Sequence, residues 1–149
     1  MIRATTFVLM FCFASLAMAG EGIVSVKSAY SVSATLDRLE KVLKKKGMTI
    51  FKRIDHSAGA KGVGLKLRPT ELLIFGNPKV GTKLTQCAQT AAIDLPMKAL
   101  AWQDADGTVW LSYNDPAYLA KRHGAKDCKV VDKMTKALGN FSAVATKAE

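Results

Sequence analysis

The sequence is poor in the residues on which recognisable chemistry is usually built. It holds two histidines, three cysteines and four prolines in 149 residues. No C-x-x-C pair occurs, which argues against a dithiol redox motif or a zinc site of that kind. G-x-S-x-G and H-E-x-x-H are missing, and "DADG" (104–107) lacks the spacing and the final glutamate of an EF-hand loop. Aromatic residues make up 7% of the chain and do not interleave with basic clusters, so a nucleic-acid binder is not indicated. After the first nineteen residues no long apolar run remains, and nothing else is read as transmembrane. Internal repeats and low-complexity blocks are absent too.

What is present begins with a leader. "MIR" is a short positive start, "TTFVLMFCFASLAMA" an apolar run short for a bilayer, and Ala17-Met18-Ala19 a small-residue cleavage signal before Gly20. Residues 1–19 are therefore expected to be a signal peptide, and residues 20–149 one exported domain, periplasmic or secreted. Cys12 lies inside the apolar run and not after a cleavage site, so no stable membrane anchor is expected. The net charge of +10 loses only Arg3 with the leader, leaving +9. Such a balance attracts nucleic acid, anionic lipid or acidic small molecules. The lysines are scattered, however, and "KKK" (44–46) ends a helix where cations meet the negative pole of the dipole. Cys87 and Cys128 would be the two cysteines left after cleavage, a candidate disulfide in an oxidising compartment. A buried free thiol at Cys87, on an apolar face with Leu84 and Ala88, is the other reading.

Periodicity then gives the elements. "GIVSVKS" (22–28) reads as a strand, and Leu36, Leu39 and Leu43 mark a helix with Ser33 available as cap and Gly47 at its end. "MTIFKRID" (48–55) and Glu71–Phe75 are strands around a Gly-rich loop with one short helical turn. Thr82 can cap a second helix. "MKALAW", a turn at "QDADG" and "TVWLSY" form a hairpin. "NDPAYLAKRHG" is a compact helix capped by Asn114 or Asp115. A last helix carries Val130, Met134, Leu138 and Phe141 on one face, and 141–149 reads as a frayed tail. The pattern implies an α+β fold, an antiparallel-rich sheet with helices packed on one face.

"FGNPKVGTK" (75–83) carries the G-x-x-x-x-G spacing of a phosphate loop. With 11 glycines in the chain that spacing arises by chance roughly once. The following pair is transposed to Thr82-Lys83, and Pro78 removes one of the N–H donors that would cradle phosphate. It is not a nucleotide loop. Asn77-Pro78 instead starts a turn after a buried strand.

The blocks F-G-N-P-x-x-G-T, D-L-P-x-K and Y-N-D-P-x-Y-L, carried by "FGNPKVGT", "DLPMK" and "YNDPAYL", resemble the domain of unknown function 302 (DUF302) family from about Ser31 to Leu138. The resemblance implies a small sheet of TATA-binding-protein-like topology, strand–helix–four strands–helix, with extra short helices. It implies no activity. The positions matching the family's polar pattern are His56, Asn77, Asp94, Lys98, Tyr113, Arg122 and His123.

Weighed by their chemistry, these residues leave two classes of function open. His56 and His123 could share a metal only if the fold joined them and a third ligand such as Asp94 were near; no metal and no cofactor is assigned. Asp94 with Lys98 could be an acid/base pair, or a salt bridge fixing the "IDLPMK" turn. One reading is an exported binding module, holding a small anionic or amphipathic ligand between sheet and helices. The alternative is a small periplasmic enzyme with a histidine base near Asp94 and Lys98. Without an organised nucleophile–base–orienter motif, binding is favoured. The expected site gathers Asn77, Asp94, Lys98, Tyr113 and one of His56 or His123 where the strands leave the sheet, unless each merely satisfies its own turn. Nucleotide and nucleic acid are not expected partners, and a homodimer stays open.

Overall fold

The computed structural model describes residues 20–148, so the expected signal peptide at 1–19 lies outside the described residues. Five strands, β1 (Ile23–Ser28), β2 (Thr49–Asp55), β3 (Thr70–Gly76), β4 (Met97–Gln103) and β5 (Val109–Asn114), form one antiparallel sheet. Its order is β1-β5-β4-β3-β2. Five helices join them: α1 (Val32–Lys45), α2 (His56–Gly62), α3 (Pro78–Cys87), α4 (Pro116–Arg122) and α5 (Val130–Thr146). A short 3-10 helix, Gln89–Asp94, precedes β4. With α2, α3 and α4 set aside as additions, the order is strand–helix–four strands–helix.

Strand geometry sets the two faces. Side chains alternate along a strand, so Met97, Ala99 and Ala101 of β4 are buried while Lys98, Leu100 and Trp102 point the other way. Leu73 and Phe75 on β3 and Leu111 on β5 join the buried side. There they meet Leu36, Leu39 and Leu43 of α1 and Met134 and Leu138 of α5. Each such side chain contributes about 1.5–3 kcal/mol when fully buried. On the opposite face, the Trp102 indole N–H donates to Ser112 Oγ (2.8 Å), which also bonds Ser25 Oγ (2.7 Å). At the hairpin turn the Trp110 N–H donates to Asp104 and holds that carboxyl below its ordinary range.

Arg53 fixes α1 to the sheet. Its guanidinium donates to Glu71 of β3 (2.7 Å), to Asp37 of α1 and to the Ser33 carbonyl. Those carboxylates hold its pKa above the ordinary value despite the opposing effect of burial.

Three local expectations are corrected. The cap of α1 is Ser31, whose hydroxyl accepts the Ala34 N–H, and not Ser33. The cap of α3 is Asn77, not Thr82: its Oδ1 accepts the Lys79 N–H, and Pro78 occupies the first turn, where its missing N–H costs nothing. Nor does the chain fray from 141. It stays helical to Thr146, because Ala145 is fully buried, the Arg38 Nε–H donates to the Ala145 carbonyl and the Ala29 N–H to that of Thr146.

Candidate functional site

One segment, Ala88–Pro96, built around the 3-10 helix Gln89–Asp94, links α3 to β4 and is fastened at both ends. At its start Cys87 is disulfide-bonded to Cys128, in the connection between α4 and α5. Of the two readings of these cysteines, the structure shows the bridge. At the other end Asp94 Oδ2 lies 2.6 Å from His123 Nε2, and Oδ1 lies 3.3 Å from an Arg122 guanidinium nitrogen. The second ring nitrogen of His123 lies 3.1 Å from Thr90 Oγ1. Hydroxyl, imidazole and carboxylate thus stand in line, with the histidine side chain only 8% exposed. Lys98 adds a third tie, its ammonium donating to the carbonyls of Asp94 (3.1 Å) and Pro96 (2.9 Å).

The inner side of this segment walls a cavity of about 540 Å³. Phe75, Gly76 and Met97 supply the sheet side, and Met134, Leu138 and Phe141 of α5 the opposite side. The third wall is α3 through Val80, Gly81 and Thr85, and Ala92, Leu95 and Pro96 line the remaining side of a cavity that is partly open to solvent. "FGNPKVGT" is therefore lining after all, though for an apolar chamber. A Cβ at Gly81 would meet Leu95 Cδ1 at 3.6 Å, an ordinary contact, so this wall does not require a glycine. Lys46 and Lys133 stand exposed at the margin, and among the described residues neither is paired with a carboxylate. Three methionines, Met48, Met97 and Met134, give the lining side chains that can adapt to a guest.

The residues expected to converge are divided. Asp94 and His123 are in contact, and Lys98 touches the same turn. Asn77 lines the cavity while capping α3 and donating to the Gly47 carbonyl. Tyr113 lies in the core under the helices and does not face a cleft. His56 opens α2 at the far end of the sheet, separated from Asn77 by the length of β3, roughly 20 Å. Of the expected set, His123 is the histidine that joins Asp94, but Tyr113 is turned into the core, so the set does not converge as one site. Lys98 and Asp94 make no side-chain pair either, because the carboxylate is taken by Arg122 and His123. Sequence reasoning missed Thr90 and most of the lining, whose signal is a helical spacing of Met134, Leu138 and Phe141 that equally suits an ordinary core.

The sequence and the fold are shared with known proteins. The family model described as "Domain of unknown function DUF302" matches residues 24–141. A protein of Brucella suis named "Fluoride-specific ion channel FluC 1" is 55% identical over 102 residues, 68% of this chain and 40% of that one. A protein of the same name from Brucella abortus is also 55% identical over 102 residues, 38% of its length. The chain thus spans about two fifths of the curated relatives it matches. A crystal structure of a DUF302 protein from Bacillus stearothermophilus superposes with a TM-score of 0.77 over 85% of this chain and 99% of that one, at 19% identity.

Proposed function

The chain belongs to the DUF302 family, and we propose that it is an exported binding module for a small amphipathic anion. The observation that carries the reading is the cavity: apolar within, of a volume that suits a small ligand, and flanked by the cations of Lys46 and Lys133. An aliphatic or aromatic body fits the chamber, and a carboxylate at its margin meets the lysines. The leader-like run ending at Ala19 and the +9 balance of residues 20–149 support an extracytoplasmic protein with an acidic guest.

The enzymatic alternative draws on the line Thr90–His123–Asp94. Both ring nitrogens of His123 are occupied within that line and its side chain is nearly covered, so a substrate proton finds no open lone pair. Holding the cavity wall is the better account of those contacts. The channel activity in the relatives' names is not carried over. The shared stretch is a minor part of those chains, and no helix among the described residues is long and apolar enough to cross a membrane.

The test is a titration with decanoate and with decanol, followed by native mass spectrometry. Decanoate should bind saturably. Lys46→Glu and Lys133→Glu should each weaken decanoate about fivefold at low salt and leave decanol unchanged. Ala137→Trp, which fills the chamber from α5, should abolish both. No saturable binding of either probe, or undiminished binding by the filled variant, would overturn the reading.

A further inference from the structure

From the last two residues of α2 up to β3, every residue from Lys61 to Pro69 is exposed. The run contains Val63, Leu65 and Leu67, which are 73%, 66% and 50% exposed. A single aliphatic side chain in water is ordinary. Three within five residues, in the turn after α2 and the loop that follows it, concentrate exposed apolar surface in one short stretch of the chain.

This loop is held in place. The N–H groups of Val63 and Leu65 donate to the Ala60 carbonyl at 3.1 and 2.9 Å. Arg68 Nε donates to the Gln103 carbonyl (3.0 Å), and Thr70 Oγ1 to that of Arg68 (2.8 Å). A backbone tied at both ends thus displays aliphatic side chains that the fold itself leaves uncovered. Lys61, Lys66 and Arg68 share the run, and no acidic residue occurs from His56 to Thr70. Asp104 of the neighbouring hairpin is the carboxylate that senses Arg68.

We propose that residues 61–69 dock the domain on an anionic bilayer, with Val63, Leu65 and Leu67 entering the interfacial layer and Lys61, Lys66 and Arg68 meeting lipid phosphates. Apolar insertion combined with basic attraction is the general composition of such contacts. The long stems of lysine and arginine let their charges reach headgroups beside the inserted side chains. A second copy fits poorly, since two such loops would face each other with like charges. Nucleic acid fits poorly as well, since the run offers no aromatic ring for stacking. The loop lies at the opposite end of β3 from the cavity, so the inference is independent of the ligand reading.

Co-sedimentation with vesicles of phosphatidylglycerol and phosphatidylcholine, against pure phosphatidylcholine, tests it. The exported chain, residues 20–149, should bind the anionic vesicles and lose affinity as salt rises. Replacing Val63, Leu65 and Leu67 together by serine should lower that binding at least about tenfold while the circular dichroism spectrum is unchanged. Lys66→Gln should lower it about fivefold on anionic vesicles and leave the neutral ones unaffected. Three results would overturn the proposal: no vesicle binding by the natural chain, equal binding by the triple variant, or self-association through the loop without vesicle binding.

Discussion

His123 Nε2 lies 2.6 Å from Asp94 Oδ2, so the end of α4 grips the segment that walls the cavity. The contact reaches across 29 residues of sequence and connects the short 3-10 segment before β4 to the end of α4.

Removing that grip should loosen the wall. Asp94→Asn and His123→Ala are each expected to cost about 1–3 kcal/mol, because a mostly buried polar group loses its partner. Urea unfolding at neutral pH measures this. An unchanged midpoint in both variants would mean the pair is incidental. The double variant should cost less than the two single effects added together, since the pair can be lost only once.

The disulfide fastens the other end of the same segment. Its cysteines are 41 residues apart, and closing a loop of that size restricts the unfolded chain by about 4 kcal/mol in the chain-entropy account. A Cys87→Ser, Cys128→Ser double variant should unfold at correspondingly lower denaturant with little change in secondary structure. Equal stability of the oxidised and reduced natural chain would contradict the expectation.

Gly22 presents a steric case. Its φ of +79° already disfavours a side chain, and a Cβ there would sit 2.2 Å from Tyr118 Cγ. Gly22→Ala should therefore destabilise by about 3 kcal/mol, combining backbone strain with overpacking. In a Tyr118→Ala background the steric share disappears and the backbone share remains. The substitution should then cost distinctly less, as thermal unfolding would show. An equal cost in both backgrounds would assign the whole effect to the backbone.

How much of this was legible in the sequence depended on the range of the interactions. Period-two alternation in "MKALAW" and the leucine spacing of α1 announce themselves, because burial on one face imposes them directly. The helix start at Pro78 was misplaced because Asn77-Pro78 suits a turn as well as a cap, and the N–H it satisfies is not visible in a string of letters. The helical end at 142–146 was missed because "SAVAT" has weak helical character of its own and is held by Arg38 and by Ala29, over 100 residues away. The site failed for a related reason. Polar residues at strand exits looked like one cleft, yet alternation turns Tyr113 into the core and Lys98 outward, and His56 leaves from the other end of the sheet.

The strand order has a consequence for how the molecule comes into being. Ile23 pairs with Asn114, so the first of the five described strands takes its partner from the last of them. The remaining neighbours, β2 to β5, follow one another in sequence and can pair as each emerges. Until Val109–Asn114 arrives, β1 has no partner strand and its apolar side chains stay uncovered. A chain stopped before that point can build the meander but cannot close the sheet. Such long-range closure slows folding, because the entropy of the intervening loop is lost before the pairing rewards it.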